Sequence, residues 1–408
     1  MSLKQYKEKN VLEAAQERVS IAFDRFERIY VSFSGGKDSS VMMHLVLAEA
    51  IKRNRKVGVL VIDLEAQYKS TIEHITEMVG HYRESIDLHW VCLPMALRNA
   101  VSNYEPKWCC WEESAKDSWV RKFPSVEGVI TDYNLFDFFV PGMEFEEFMV
   151  LFGLWFGGGS PACGFVGIRA DESLNRFRTI ASSTKECLDG MKWTTLVQPG
   201  LYNAYPIYDW RTEDIWRFHG AYPNLMHNMV YDMMHKAGLS IHQMRLCQPY
   251  GDDQKKGLWL YHILEPETWA KIVARVNGAN SGALYVSETG NISGSIKITK
   301  PAGHSWKSFC DLLLSGLPKR TQKHYISRFK GFIKGWKGRG YTNGIPDETP
   351  AILEAKHWAP SYRRLCKVLL RNDWYCKGLG LTQPKSESYG KYLEIKKSKK
   401  QNNLQISA

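Results

Sequence analysis

One short run, Ser32-Phe33-Ser34-Gly35-Gly36-Lys37-Asp38-Ser39-Ser40, limits the folds open to this chain. Before it, Ile29-Tyr30-Val31 has the continuous apolar character of a buried parallel strand. After it, Val41-Met42-Met43-His44-Leu45-Val46-Leu47 reads as the buried part of a helix. A strand, a glycine-rich turn and a helix N-terminus together form an anion site. Gly35 and Gly36 allow positive φ and let backbone N–H groups converge, and the helix end adds partial positive charge. Ser34, Ser39 and Ser40 supply hydroxyl donors, and Lys37 supplies a point charge for phosphate oxygens. Asp38 would repel phosphate, so helix capping or a Mg²⁺ role suits it better. A Ser/Gly turn that only joins strand to helix is the plain alternative.

The spacing excludes two familiar phosphate loops. A Walker A loop separates its first glycine from the Gly-Lys-Ser/Thr end by four residues, whereas Gly35 and Gly36 adjoin Lys37 directly. The dinucleotide fingerprint needs a third glycine that does not follow here.

Around the loop the chain alternates strand and helix. Residues 3–27 have the apolar spacing of an amphipathic helix, and Val57-Gly58-Val59-Leu60-Val61-Ile62 reads as a second buried strand ending at Asp63. A helical pattern runs through Thr71, Ile75 and Met78, and His89-Trp90-Val91-Cys92-Leu93 reads as a third strand. This order predicts an α/β fold on a parallel sheet with right-handed crossovers. Ligands in such folds sit beyond the carboxyl ends of the strands, so Asp63 and Glu65 would share a rim with residues 34–40.

Residues 103–160 interrupt the pattern and are rich in rings, among them Trp108, Trp111, Trp119, Phe148, Phe152 and Trp155. Their acids Glu144, Glu146 and Glu147 would repel phosphates, which favours a ring-packed helical insertion over a base-stacking surface. Cys163-Gly164-Phe165-Val166-Gly167-Ile168 resumes as a fourth buried strand. Arg169, Arg176 and Arg178 follow, and Asp171 and Glu172 beside them would suit an ordinary solvated helix start. At the end of a strand on this sheet, however, guanidinium groups suit bidentate recognition of phosphate or sulfate. Tyr205 to Trp216 reads as a short strand, a turn, and a helix capped near Asp209 or Thr212.

Composition narrows the class. The 408 residues are 44% hydrophobic and 24% charged, values of an ordinary soluble globular protein with room for more than one domain. No apolar run reaches membrane-span length, and the polar start lacks a signal-peptide core, so the expected compartment is the cytoplasm, with no membrane partner. The nine cysteines are scattered without Cys-x-x-Cys, which is neither a disulfide framework nor a zinc ribbon. Only Cys109-Cys110 are adjacent, and no metal site or iron–sulfur cluster is expected from them.

The net charge of +11 is unevenly spread: residues 297–408 hold 23 Lys+Arg against 7 Asp+Glu, and residues 1–296 hold 31 against 36. From Lys319 to Arg339 eight cations occur without an acid, interleaved at helical spacing with Tyr325, Phe329, Phe332 and Trp336. This is an amphipathic helix docked by its rings. Its basic face is either merely solvated or meets nucleic acid or another acidic partner through Lys323, Arg328, Lys330, Lys334 and Lys337.

The run Ser34 to Ser39 resembles the SGGxDS pyrophosphate loop, or PP-loop, of the adenine-nucleotide hydrolase-like superfamily. Gly167-Ile168-Arg169 through Arg176 is similar to the glycine-leucine-arginine stretch of phosphoadenylylsulfate (PAPS) reductases. Pro206-Ile207-Tyr208-Asp209-Trp210 through Trp216 resembles their P-L-x-D-W segment. Residues from about 230 onward, including Ala274 to Gly278 and Cys366 to Asp373, look like a PAPS-reductase-like branch grouped with the immunoglobulin-binding regulator A proteins.

The resemblance implies a Rossmann-like PP-loop fold that binds ATP or PAPS through Ser34, Gly35, Gly36, Lys37, Asp38, Ser39 and Ser40. Asp63 and Glu65 would lie near the adenosine and Arg169 and Arg176 at the anionic end, with Lys37, Asp38 and Arg169 as catalytic candidates. It also implies gene regulation beside a ParB-like partner. The chain departs from the reductases in lacking their C-terminal Glu-Cys-Gly-Ile/Leu-His motif, and Cys247 is the best remaining thiol.

The resulting domain plan is an N-terminal helix (1–27), a PP-loop domain (28–225, with the insertion at 103–160), a basic and mainly helical C-terminal domain (226–390) and a disordered basic tail (391–408). Two functions fit it. One is an enzyme that cleaves or transfers at the phosphate or phosphosulfate end of the nucleotide, by AMP-forming adenylation or sulfur transfer. The other is a regulator that senses the nucleotide without turnover.

Overall fold

In a computed structural model of the chain, residues 8–252, 258–279 and 298–382 are described. The basic tail foreseen at 391–408 lies outside them. Strand β1 (Arg28–Ser32) lies at the centre of a seven-stranded sheet. On one side it pairs with β2 (Val57–Ile62), then come β3 (Ile86–Val91) and, past a short hairpin of β4 (Ala96–Arg98) and β5 (Lys107–Cys109), β6 (Val129–Ile130). On the other side β1 pairs with β7 (Ala162–Val166), and a hairpin of β8 (Thr194–Gln198) and β9 (Leu201–Ala204) completes the sheet. All pairings in this sheet are parallel except β8 with β9. Val31 sits opposite both Val59 and Phe165, so the core strands are buried on two faces and read as continuous apolar runs.

The helices between strands follow the expected order. Helix α1 (Val11–Arg25) opens with a capping box, in which the Asn10 side chain accepts from Glu13 N and Glu13 reaches back to Asn10 N. Helix α2 (Lys37–Lys52) follows β1, and α3 (Lys69–His81) follows β2. The chain then crosses β1 and returns as β7, so the strand order reverses between β1 and β7. A crevice at such a switch point, beyond the carboxyl ends of both strands, is where open α/β sheets take ligands.

The aromatic segment at 103–160 is not a separate helical insertion. It adds β6 to the main sheet, and its one α-helix, α4 (Phe145–Gly157), lies on the sheet. Phe152 and Phe156 meet Tyr30 of β1 edge-on, at 5.4 and 5.3 Å between ring centroids. The rings are the packing layer of a crossover, because a helix this apolar must bury its face against something.

Helices α5 (Leu174–Ala181), α6 (Thr212–Ala221) and α7 (Val230–Lys236) complete this part. Helix α6 begins after Arg211, with the Asp214 carboxylate on the Arg211 N–H. Asp209, expected near that cap, instead takes a two-pronged ion pair from Arg18 of α1. The core that contains β1 continues through Tyr250, Ile272 and Ala279.

A second core gathers Trp306, Phe309, Tyr325, Phe329, Phe332, Leu365 and Cys366 from the helices Trp306–Ser315, Lys319–Lys337 and Tyr362–Leu370. It docks on the β4–β5 region through side-chain bonds to backbone carbonyls. Asn372 donates to the carbonyls of Ala100 and Ser102, Arg98 donates to the Asn372 carbonyl, and Thr321 donates to that of Asn103. Among the described residues no helix is long and apolar enough to cross a membrane.

Candidate nucleotide site

The crevice at the switch point is built from the loop after β1 and the segment after β7. Gly35 has φ of +71°, and a Cβ there would lie 2.8 Å from Ile75 and 2.9 Å from Thr71 of α3, so both conformation and space demand glycine. Gly36 caps α2 without a side-chain bond, so the first-turn amides depend on partners from elsewhere in the chain. Gly167 brings the end of β7 onto this turn, since a Cβ on it would lie 3.2 Å from Ser39 N. Two strand ends and one helix N-terminus therefore converge within contact distance.

Three charges run through the crevice. The Lys37 side chain is buried, and its Nζ donates to Asp38 Oδ2 at 3.2 Å and to the Met244 carbonyl at 3.3 Å. The other carboxylate oxygen of Asp38 takes the Nε of Arg169, which is 2% exposed and also donates to Thr212 Oγ1 at 3.3 Å. Asp38 is thus clasped between two cations, and a Mg²⁺ ion could use it only if one of those pairs opened. Ser34 and Ser39 share a hydrogen bond at 3.1 Å, whereas Ser40 turns inward to His74 Nε2 at 2.9 Å.

The remaining predicted residues are distributed differently. Asp63 is buried and accepts from Trp90 Nε1, the Glu65 amide and Arg121. Glu65, fully buried with φ of +65°, accepts from the amides of Trp111 and Val120 and from Arg275 at 2.8 Å. Both acids stand beyond the end of β2, and their carboxylates tie the aromatic segment and Arg275 to the sheet. Arg176, in the first turn of α5, pairs with Glu172 at 3.0 Å and does not join the Lys37–Asp38–Arg169 chain. Cys247 is partly buried, and its carbonyl accepts from the Tyr261 hydroxyl.

The structure adds residues that the sequence did not single out. The Tyr231 hydroxyl of α7 accepts the Lys37 N–H at 3.0 Å, and its buried ring lies 5.7 Å from Lys37 Nζ. Burial pushes its phenol far above the ordinary range. Asn228 donates to the Gly35 carbonyl at 2.8 Å and to Thr71 Oγ1 at 3.0 Å. His219 of α6 is buried against the Lys37 backbone, and burial pulls its pKa down to about 4. Thr212 lay inside the flagged 205–216 stretch, but Asn228, Tyr231 and Met244 follow no spacing pattern. Only the fold brings them to the loop.

On the helix Lys319–Lys337, Lys323, Lys330, Lys334 and Lys337 are exposed. Arg328 is not one of this outer set. It faces inward, where its guanidinium donates to the carbonyls of Tyr375 at 2.8 Å and Thr382 at 2.9 Å, so it pins the segment after the last helix.

Residues 28–241 match the phosphoadenosine phosphosulfate reductase domain family, and residues 238–344 match a domain of unknown function, DUF3440. An uncharacterised protein of Escherichia coli (strain K12), YbdN, is 40% identical over 395 residues, spanning 96% of this chain and 95% of its own. Among solved structures, the Candida auris phosphoadenylyl-sulfate reductase in its phosphate complex is similar at 14% identity and a TM-score of 0.31, over 57% of this chain and 95% of that one. The Candida glabrata FMN adenylyltransferase with FAD and pyrophosphate is similar at 17% identity and a TM-score of 0.30, over 56% and 64% of the two chains. With the glycine turn after β1 and the arginine segment after β7 meeting at the switch in strand order, the chain belongs to the phosphoadenosine phosphosulfate reductase domain family and carries a C-terminal DUF3440 region.

Proposed function

We propose that the chain binds an adenine nucleotide, ATP or PAPS, in the β1/β7 crevice and cleaves or transfers at its phosphate or phosphosulfate end. The observation that carries this reading is the buried Lys37–Asp38–Arg169 chain set against the N-terminus of α2, whose cap residue Gly36 brings no side chain of its own. Two cations held by one carboxylate keep positive charge where an anhydride would sit, and charge held in place before the reaction stabilises a leaving phosphate. Ser34, Ser39 and the amides of Gly35 and Gly36 would bind oxygens of the same group, and Arg169 its far end. Arg176 could reach the nucleotide only by leaving Glu172, and Asp63 and Glu65 would act by holding the wall near the adenosine. Either AMP-forming adenylation or sulfur transfer would use this charge in the same way, with the acceptor, nucleic acid or a sulfur carrier, approaching over the basic C-terminal region.

One observation favours a second reading, a nucleotide-sensing regulator that works without turnover, related to the immunoglobulin-binding regulator A proteins and acting with a ParB-like partner. Tyr231 and Met244 already occupy the Lys37 amide and ammonium, so an entering phosphate must displace residues C-terminal to the sheet. Nucleotide binding would then be reported through Tyr231 and Met244 to the DUF3440 region.

Product analysis separates the two readings. Incubation with ATP and Mg²⁺ should give AMP and pyrophosphate, or incubation with PAPS and a dithiol should give adenosine 3′,5′-bisphosphate and sulfite, with both lost in Lys37→Ala. Tight binding with neither product would favour the sensor.

A further inference from the structure

We infer that the helix Lys319–Lys337 carries a binding surface for the phosphate backbone of a double-stranded nucleic acid. At 100° per residue, Lys319, Lys323, Lys330, Lys334 and Lys337 fall within about 60° of arc. They run along a rail of about 27 Å at 1.5 Å per residue. Thr321, Tyr325, Phe329 and Phe332 fall on the opposite face and are buried in the second core. All five lysines are exposed, the helix contains no acid, and among the described residues none of the five is ion-paired. The inward turn of Arg328 and its bonds to the Tyr375 and Thr382 carbonyls leave ammonium groups alone on the outer line.

The chemistry of the rail selects its partner. The ring-bearing face is spent on the core, so this helix cannot lay an apolar side into a lipid surface as an interfacial helix does. A protein partner would need an apolar centre of contact, and the rail has lysines with Ser327 and Ile326 between them. A single strand would need exposed rings to stack on, whereas Trp336 is partly buried and packs edge-on against Tyr341 at 5.5 Å. The line carries no planar guanidinium or amide to pair bidentately with base edges, only the compact point charges of lysine. A straight row of point charges fits a stiff polyanion with one charge per roughly 1.7 Å of axis, read without regard to sequence.

The test is an anisotropy titration of the full chain with a labelled 20-base-pair DNA duplex, the matching RNA duplex and the single strand, over a salt series. Five neutralised phosphates predict a slope of log K against log salt of about −4 to −5 for the preferred duplex, and a loss of several hundred-fold between 50 and 200 mM salt. Replacing Lys323, Lys330 and Lys334 together with Gln should flatten the slope by roughly 3 and weaken binding at low salt at least 100-fold. All three lie on the solvent face, and an unchanged melting temperature checks the fold. A second variant, with Lys9, Lys52 and Lys69 changed to Gln on the other part of the molecule, should keep duplex binding within a few-fold. Whether DNA or RNA binds more tightly identifies which duplex is the partner. Tighter binding of the single strand, equal competition by poly-glutamate, or equal losses in the two triple variants would overturn the assignment.

Discussion

The crevice between β1 and β7 and the lysine rail of the helix Lys319–Lys337 both gather positive charge, but they hold it in opposite ways. In the crevice Lys37 and Arg169 are buried and each is fastened to Asp38. On the rail five ammonium groups stand in water, unpaired among the described residues. Charge taken out of water must be partnered and directed, and it can then act at one geometry. Charge left in water costs little, tolerates substitution, and acts through salt-sensitive attraction. The first arrangement suits a small anhydride, the second a long polyanion.

The contrast is open to breakage, first through stability. Asp38→Asn leaves the Arg169 guanidinium buried beside a neutral amide, which should cost about 3–5 kcal/mol of unfolding free energy. Lys330→Gln on the rail should change it by less than about 0.5 kcal/mol. Denaturant titrations of both variants measure the difference, and equal costs would erase the distinction.

A smaller effect is expected at Tyr231. Tyr231→Phe frees the Lys37 amide for an incoming phosphate while keeping the ring. Nucleotide affinity should rise by roughly 2- to 10-fold, the worth of one hydrogen bond. A fall instead would mean that the hydroxyl binds the nucleotide rather than standing in its place.

The mildest effect is on pH dependence. Burial depresses His219 to about 4 and His74 to about 3, both from an ordinary value of 6.5. Between pH 6.5 and these values the unfolded chain binds more protons than the folded one. Stability is therefore full above about pH 6.5 and declines as pH falls through the window. Thermal melts at pH 7 and pH 5 should show that decline, and His219→Gln should reduce it while the rail variants leave it unchanged.

Much of this was legible in the residues themselves. Apolar runs at Ile29 to Val31, Val57 to Ile62 and Cys163 to Ile168 marked the strands, because strands buried on both faces leave a continuous signal. The order of loop, arginine and Trp210 segments marked the crevice. Other features were illegible for physical reasons. The ring-rich stretch 103–160 announces burial but not against what, and α4 covers the sheet rather than making its own core. Arg328 lies two residues from Lys330 in the same basic run, and the carbonyls that draw it inward lie some fifty residues on. Tyr231 reaches Lys37 from 194 residues away, a contact that no local pattern encodes.

The most direct measurement is calorimetric titration of the purified full chain with ATP and with PAPS, each with and without Mg²⁺, alongside Lys37→Ala. Saturable one-site binding of at least one nucleotide is expected, weakened at least roughly 100-fold in the variant through loss of a buried charge-assisted contact. No binding of either nucleotide, or equal binding by the variant, would contradict it.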